Sequence, residues 1–327
     1  TYCIKVRRVF NLLLQFGKIN GKGIYMNLND ANLFSGVLGE NQIKVNEPMS
    51  RHTTFGIGGP ADFFLLPETT EELCIITKLV RKNNLPLFIL GGGANLLVRD
   101  KGIRGVVICT SRLQGIERIG NTLKVSSGIP TAAVARKALS YGLSGMEFAS
   151  GIPGSIGGAA FMNAGAYGGE MSKIISRATV CDTSGDLVVY DKKDLGYSYR
   201  QSRFMQKGEV IVDITLSLKE GNENDIKALM DDLNGRRRSK QPLDKKSAGS
   251  TFKRPEGHFV GQMIEDLGLK GFSVGDAQVS EMHAGFLINN GNASCEDMLQ
   301  LIHAVQEKVK EAYGVDLHTE VQIVGEE

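Results

Sequence analysis

A glycine-rich stretch in the middle of the chain, GIPGSIGGAAFMNAGAYGGE at residues 151–170, constrains the fold more than any other feature. Seven of its 20 residues are Gly, and Glu170 is its single charged residue. A flexible linker would be more polar, and a packed helix would avoid Gly. Gly can adopt φ > 0 and, lacking a side chain, lets another group approach the backbone amides directly. The stretch therefore predicts special backbone geometry at a binding loop.

A second glycine cluster, GGGAN at residues 91–95, directly follows the apolar run PLFIL. Successive backbone N–H groups in such turns form concave anion sites. Two such loops could hold the two phosphates of one diphosphate, and their apolar neighbours suit a flat aromatic ring system. Tight turns between strands are the alternative explanation for these glycines. Neither cluster has the spacing of a dinucleotide fingerprint or a P-loop, which disfavours both sites.

Length, charge and cysteine usage narrow the class of protein. The chain has 327 residues, enough for two or three domains, and a net charge of +2, which does not suggest a nucleic-acid partner. Its five Cys are scattered without a CxxC pair, which favours a reducing cytoplasm over a disulfide framework or a zinc site. The five His are scattered too, so we predict no metal. No apolar run reaches membrane-spanning length. Residues 1–25 are interpreted as a leader or an artificial extension without chemistry, and a short amphipathic docking segment is the alternative.

Hydrophobic periodicity predicts the main elements. From Phe63 the chain reads as strand, helix and strand, with Thr69 and Glu72 spaced as a capping box. A second such unit is predicted from GVVICT, TLKVSSG and the helix TAAVARKALSYG. Strands without helices follow, with a hairpin turn at Ser184–Gly185. Near the end of the chain, Ser294 and Asp297 predict a capped helix that Gly314 ends, and TEVQIVG predicts a last strand.

Seven strings in order give the chain a family resemblance. They are RHTTFGIGGPAD (51–62), LGGGANLLVRD (90–100), GIPGSIGGAAFMNAGAYGGE (151–170), YSYRQSRF (197–204), SAGSTFKRP (247–255), HAGFLIN (283–289) and EVQIVG (320–325). Together they resemble the UDP-N-acetylenolpyruvoylglucosamine reductases, flavoenzymes of peptidoglycan precursor synthesis in cell-wall biogenesis. The resemblance covers residues 45–325.

The resemblance implies an α+β fold. A two-subdomain FAD-binding region of the PCMH/vanillyl-alcohol-oxidase type would precede a C-terminal α/β substrate-binding domain. The implied boundaries are 26–105 for FAD-binding subdomain 1, completed by the C-terminal strand near 318–327. They are 106–222 for FAD-binding subdomain 2 and 223–317 for the substrate-binding domain.

The resemblance also implies the reaction. Bound FAD and the co-substrate NADPH would serve a UDP-N-acetylmuramate dehydrogenase that reduces UDP-N-acetylglucosamine enolpyruvate to UDP-N-acetylmuramate. Hydride would pass from flavin N5 to the enolpyruvyl group, and Ser250 would give the proton. The alternatives are another FAD-dependent oxidoreductase or oxidase of the same fold, and a non-catalytic module that binds flavin or a nucleotide sugar. The sequence does not give the oligomeric state.

The resemblance assigns three catalytic residues. Arg200 would bind the substrate carboxylate, since a guanidinium offers two parallel donors and stays charged. Ser250 would donate the proton, and Glu320 would steady the enol or feed the proton path. A surface salt bridge, a turn serine and an exposed strand-start glutamate are the respective alternatives.

The resemblance further implies two binding sets. The FAD-binding set is Thr54, Gly91, Gly92, Gly93, Ala94, Asn95, Leu96, Ser127, Gly128, Gly151, Ile152, Pro153, Gly154, Gly157, Gly158 and Ala166. The substrate-binding set is Tyr199, Arg236, Lys240, Lys253, Arg254 and His283. Two positions depart from the wider family, because Arg254 replaces an Asn and His283 replaces the Gln of one subgroup. The chain also fits the subgroup that lacks an extra substrate-covering loop.

Overall fold

The computed structural model describes residues 32–327, and the segment 1–25 that was interpreted as a leader lies outside them. The described chain divides into two compact units. Unit 1 contains residues 32–47, 61–91 and 104–226, and unit 2 contains residues 48–60, 92–103 and 227–327. Each unit is therefore assembled from separate stretches of the chain.

Within residues 32–327, the α-helices are α1 (Asn32–Ser35), α2 (Thr70–Lys82), α3 (Thr131–Leu139), α4 (Ile156–Met162), α5 (Met171–Ile174), α6 (Phe204–Lys207), α7 (Glu223–Lys240), α8 (Val260–Asp266) and α9 (Cys295–Tyr313). The strands of that range are β1 (Ile43–Pro48), β2 (Pro60–Leu65), β3 (Leu87–Leu90), β4 (Leu96–Val98), β5 (Ile103–Cys109), β6 (Ile116–Ile119), β7 (Thr122–Ser126), β8 (Leu143–Ser144), β9 (Gly165–Ala166), β10 (Gly169–Glu170), β11 (Ile175–Cys181), β12 (Leu187–Asp191), β13 (Val210–Ser217), β14 (Lys219–Glu220), β15 (Ser273–Val274), β16 (Ala277–Val279), β17 (Leu287–Asn289) and β18 (Gln322–Val324). Among these described helices, none is long and apolar enough to cross a bilayer.

Unit 1 contains a four-stranded sheet in the order β1-β2-β5-β3, in which β3 and β5 are parallel. Helix α2 carries Leu73, Ile76 and Val80 on one face, and all three are fully buried. They share a core cluster with Phe63 of β2 and Val106 of β5. The predicted strand–helix–strand unit is confirmed, with β5 inserted between its two strands.

The start of α2 differs in one detail from the predicted capping box. The hydroxyl of Thr69 accepts a hydrogen bond from the N–H of Glu72 at 3.1 Å, as expected. The Glu72 carboxylate accepts instead from the N–H of Glu68 and from Nε2 of Gln42, both at 2.8 Å. The reciprocal half of the predicted box is therefore wrong, because these two donors take the carboxylate that would have bonded the N-cap amide.

A second sheet of unit 1 has five antiparallel strands in the order β12-β11-β13-β7-β6. Strands β11 and β12 form the predicted hairpin around Ser184–Gly185, where Gly185 has φ = +83°. The predicted second strand–helix unit is wrong, since β5 and β7 lie in different sheets. A parallel pair needs a long crossover connection. Here β6 follows β5 in the chain and forms an antiparallel pair with β7, so β7 belongs to the second sheet.

Unit 2 packs its antiparallel sheet β15-β16-β17 in one core with helix α9. Helix α9 begins at Ser294, and both bonds of the predicted Ser294–Asp297 capping box are present. The helix ends at Gly314 in the left-handed conformation, also as predicted. The carboxylate of Asp100 accepts from the first helical N–H groups and thereby fixes the segment after β4 to this helix.

Candidate active site

The glycine-rich stretch 151–170 folds mainly through close backbone packing in unit 1. Its helix α4 begins at Ser155, whose hydroxyl accepts from the N–H of Gly158 at 3.2 Å. Gly157 donates its N–H to the carbonyl of Ser127 at 2.9 Å, and a Cβ at Gly157 would lie 2.5 Å from the Ser127 Cβ. A side chain at Gly157 is therefore excluded by contact, although its φ is not left-handed.

Gly91 is the first residue of the GGGAN cluster after strand β3, and it belongs to unit 1. It lies beside the start of helix α4. A Cβ at Gly91 would be 2.5 Å from Oγ of Ser155 and 3.6 Å from the nitrogen of Gly158. The two glycine clusters predicted to hold one diphosphate thus meet at Gly91 and α4. Bare backbone of Gly91 therefore lies against the start of α4, whose first N–H groups already donate to acceptors within unit 1.

Ser127 and Gly128 lie where β7 ends, next to α4. Gly128 is pressed against the carbonyl of Thr110, from which a Cβ would be only 2.0 Å away. The Ser127 side chain is 1% exposed, and its Oγ has no hydrogen-bond partner among residues 32–327. Because buried hydroxyls are normally satisfied, this one has the chemistry of a group that awaits a ligand.

Unit 2 holds the rest of the GGGAN cluster, residues 92–95, against residues 52–54. Gly93 has φ = +63°, and a Cβ there would lie 1.9 Å from the His52 carbonyl oxygen. The N–H of Thr54 donates to the Gly93 carbonyl at 3.0 Å. Within the described chain, the buried Oγ1 of Thr54 also has no hydrogen-bond partner. Taken separately, the Thr54 hydroxyl in unit 2 and the Ser127 hydroxyl in unit 1 can each donate to an oxygen acceptor of the kind that FAD offers.

The other positions of the predicted FAD-binding set divide between the two units. Unit 2 holds Gly92, Ala94, Asn95 and Leu96, and Leu96 begins β4. In unit 1, Gly154 has φ = +91° and accepts the N–H of Thr131 at 3.0 Å. The remaining members, all in unit 1, are Gly151, Ile152, Pro153 and Ala166.

Arg200 has an unusual backbone for its residue type, with φ = +54°. Such conformations cost about 1–3 kcal/mol in a residue with a Cβ and tend to occur at functional sites. Its guanidinium donates to the carbonyls of Asn163 at 3.5 Å and Gly165 at 3.3 Å, and lies 5.2 Å from the ring centroid of Tyr199. Arg200 is thus held at the end of the 151–170 stretch, in unit 1.

Ser250 and Glu320 are brought together in unit 2 by backbone pairing. Ser250 forms an antiparallel bridge with Phe286. The next residue, Thr251, accepts the N–H of Glu320 at 2.8 Å through its carbonyl. The Ser250 side chain is exposed, and a Cβ at the preceding Gly249 would meet nothing within 4 Å. The surroundings of this hydroxyl are open enough for a substrate to reach it.

His283 lies on the turn before the strand that pairs with Ser250. Its Nδ1 accepts the N–H of Gly285 at 3.1 Å, so the neutral ring carries its proton on Nε2. The ring packs edge-on against Phe286 at 4.9 Å between centroids. Burial lowers the pKa of His283 below its ordinary value, so the uncharged ring prevails near neutral pH.

The basic members of the predicted substrate-binding set are all in unit 2, and two have local partners. Arg236 forms an exposed ion pair with Asp232 at 2.8 Å, and Arg254 donates to the His258 carbonyl at 3.2 Å. Lys240 and Lys253 are exposed. The sequence analysis did not predict that Arg237 is buried, with only 9% of its surface exposed. Helical spacing could have predicted this burial, because Arg237 follows the partly or fully buried Met230 and Leu233 on one face of α7.

Comparisons with known proteins match the residues of both units. Residues 61–191 match a model described as FAD binding domain. Residues 241–324 match a model described as the C-terminal domain of UDP-N-acetylenolpyruvoylglucosamine reductase. Relatives of that name from Clostridium kluyveri and Clostridium novyi are 48% and 50% identical over 291 residues, 89% of this chain and 96% and 95% of theirs.

The solved reductase of the same kind from Thermus caldophilus is similar to this chain with a TM-score of 0.74. It is 35% identical, and the match covers 86% of this chain and 97% of that one. Fold and matches together define an FAD-dependent oxidoreductase. More particularly, the chain belongs to the UDP-N-acetylenolpyruvoylglucosamine reductase family. The predicted fold class and FAD cofactor are confirmed, and NADPH is the co-substrate that membership of this family implies.

Proposed function

We propose that the chain reduces UDP-N-acetylglucosamine enolpyruvate to UDP-N-acetylmuramate with electrons from NADPH, for peptidoglycan synthesis. The observation that carries this proposal is the hydrogen bond from the Glu320 N–H to the carbonyl of Thr251, the residue after Ser250, within the matched C-terminal domain. This bond holds the backbone of a carboxylate residue next to that of a weak acid, which suits a reaction that ends in protonation of a carbon.

FAD, when bound, supplies the hydride chemistry at the enolpyruvyl carbon. Negative charge then develops on the neighbouring carbon and its carboxylate as an enolate. Ser250 is proposed to deliver a proton from Oγ–H to this carbon. A serine hydroxyl is a poor acid, but a carbanionic enolate is basic enough to accept its proton. Glu320 is proposed to steady the enol or to return a proton toward the serine.

Arg200 is proposed to bind the substrate carboxylate. Its bonds to the carbonyls of Asn163 and Gly165 are 3.3–3.5 Å long and orient the guanidinium. A planar cation prepared in this way stabilises charge that grows during the reaction, because it needs no reorganisation at that moment.

The other predicted ligands keep their proposed roles. Tyr199 is 55% exposed beside Arg200 and is proposed to line the substrate pocket. Lys240, Lys253, Arg254 and His283 are proposed to meet the nucleotide sugar. Arg236 would first have to exchange Asp232 for a phosphate, which makes Lys240 the better candidate.

The FAD-binding set is proposed to hold the pyrophosphate through the amides of residues 91–96, with residues 151–158 as bare backbone that lets the cofactor approach closely. The unsatisfied hydroxyls of Thr54 and Ser127 support it. The domain division at residues 105, 222 and 317 also stays a proposal, and the pairing of β18 with β4 supports a C-terminal strand that returns to the first subdomain. Four free cysteines, Cys74, Cys109, Cys181 and Cys295, support a reducing cytoplasmic location.

The test is a visible spectrum in three steps without oxygen. The purified protein should show the yellow absorption of FAD, NADPH should bleach it, and UDP-N-acetylglucosamine enolpyruvate should restore it. Oxygen is then admitted to a second bleached sample. If oxygen restores the absorption and the enolpyruvyl nucleotide does not, the protein is an oxidase of the same fold. A protein that takes up no flavin would contradict the proposal altogether.

A further inference from the structure

The side chain of Asn95 has a contact that a purely FAD-binding residue would not need. Its Nδ2 donates to the main-chain carbonyl of Glu320 at 3.0 Å, across 225 positions of the sequence. The main-chain carbonyl of Asn95 accepts the N–H of Gln322, also at 3.0 Å. Both contacts lie within unit 2, where Leu96 pairs with Gln322 at the start of the parallel strands β4 and β18.

Glu320 is consequently fixed at both of its backbone polar groups. Its N–H donates to the Thr251 carbonyl at 2.8 Å, and its C=O accepts from Asn95. The first contact is an ordinary backbone bond, but the second depends on one side chain. Glu320 directly precedes the regular pairing of β18, so the Asn95 side chain makes its bond where the ladder begins.

We propose that Asn95 is a positioning residue for Glu320. The glycine turn 91–95, whose amides are proposed to hold the FAD pyrophosphate, would thereby also set where the catalytic carboxylate stands. This inference rests on the proposed function. It gives Asn95 two separable tasks, a backbone task toward the cofactor and a side-chain task toward Glu320. Such precision matters because small displacements of a catalytic group reduce rates steeply.

The experiment compares Asn95→Ala and Asn95→Asp with the matched control Asn83→Ala. Both Asn95 variants lack the amide donor but keep the backbone of the turn. The side chain of Asn83 makes an equivalent bond, from Nδ2 to the Leu79 carbonyl at 2.8 Å at the end of α2 in unit 1. The two half-reactions of the FAD-loaded enzyme are followed separately, as bleaching by NADPH and as reoxidation by the enolpyruvyl nucleotide.

We expect both Asn95 variants to slow reoxidation on the order of tenfold, with bleaching nearly unchanged. Asn83→Ala should change neither half-reaction. In a Glu320→Ala background, Asn95→Ala should cause no further loss, because residues that act through one another are non-additive. In the apoprotein, hydrogen exchange of the peptide 318–324 should be faster in Asn95→Ala than in the parent chain.

The outcomes separate the inference from the proposed function. If Glu320→Ala leaves reoxidation unchanged, the role proposed for Glu320 is wrong and the inference falls with it. If Glu320→Ala is slow but Asn95→Ala is silent, or adds its full effect to the double variant, only the inference is wrong. If Asn95→Ala does not retain FAD, the apoprotein exchange decides, and unchanged protection of the Glu320 amide overturns the inference.

Discussion

The two units hold their parts of the proposed site by different physical means. Unit 1 includes a contact that leaves no room for a side chain, since Gly157 is pressed onto Ser127, and Arg200 there has a left-handed backbone. Unit 2 holds the backbone of Ser250 and Glu320 mainly through main-chain pairing, to which the side chain of Asn95 adds one bond. A substitution at Gly157 should therefore affect folding, whereas one at Ser250 should affect chemistry alone.

The largest effect is expected at Ser250 in unit 2. Ser250→Ala removes the proposed proton donor but leaves its backbone bridge to Phe286. Reoxidation by the enolpyruvyl nucleotide should slow by about 10²–10⁴-fold, the usual contribution of a positioned acid, while bleaching by NADPH is spared. Stopped-flow absorbance measures both steps. The control is Ser273→Ala, an exposed serine of the same unit. Equal losses in both half-reactions would remove Ser250 from the proton path.

The next effect concerns Arg200 in unit 1. Arg200→Lys keeps the positive charge but loses the two parallel donors, so turnover should fall by about 10–100-fold, as expected for about 1.4–2.7 kcal/mol of lost bidentate binding. The free energy of unfolding should hardly change, because lysine keeps the same backbone conformation. Steady-state kinetics and urea unfolding measure the two quantities. The control Arg177→Lys alters an exposed ion pair with Asp191 in the same unit.

Near-parental turnover of Arg200→Lys would show that the left-handed backbone at this position serves packing and not the substrate. The comparison between units would then lose its main functional element in unit 1. A joint fall of turnover and stability would instead indicate that the guanidinium bonds to Asn163 and Gly165 are structural.

A pair of neighbouring glycines tests whether close contact decides the stability of unit 1. Gly157→Ala would place a Cβ 2.5 Å from the Ser127 Cβ, so we expect a loss of about 1–3 kcal/mol from overpacking. Gly158→Ala meets only Oγ of Ser155 at 3.4 Å and gains helix propensity, so its free energy of unfolding should be equal or slightly higher. Urea unfolding of the apoproteins compares them. Similar losses for both would refute close packing as the cause.

These residues also show how much of the molecule the sequence could predict. Local signals found the α2 and α9 starts, the Ser184–Gly185 hairpin and the stop at Gly314, because each depends on residues close in sequence. The partition of β5 and β7 between two sheets was mispredicted, since strand pairing is decided by distant partners.

The candidate site divides in the same way. Arg200, Ser250 and Glu320 were assigned by family resemblance alone and stay predictions, because a turn serine or a strand-start glutamate carries no local signal of catalysis. The Asn95–Glu320 contact could not be predicted at all, since its partners are 225 positions apart. The burial of Arg237 could have been predicted, because helical spacing places it on the buried face of α7. The adjacent basic residues suggested a solvated surface instead.

The smallest effect concerns His283 in unit 2. Burial lowers its pKa in the folded protein below that of the unfolded chain, about 6.5. The unfolded state therefore binds a proton first, so this contribution to stability is complete above pH 6.5 and is lost as the pH falls through the window below it. His283→Asn offers the Gly285 amide an uncharged acceptor of similar reach. Its free energy of unfolding should depend less on pH between 7 and 5.

Urea unfolding at several pH values measures this difference, and His303→Asn is the control because His303 is exposed on α9. Between pH 7 and pH 5 the free energy of unfolding of His283→Asn should fall less than that of the parent chain, by a difference below about 1 kcal/mol, since one pKa unit corresponds to about 1.4 kcal/mol. Parallel pH curves for His283→Asn and the parent chain would mean that the folded ring accepts a proton without cost. In that case main-chain bonds alone would hold the turn beside Ser250 in unit 2. The contrast with the close packing at Gly157 in unit 1 would then become sharper.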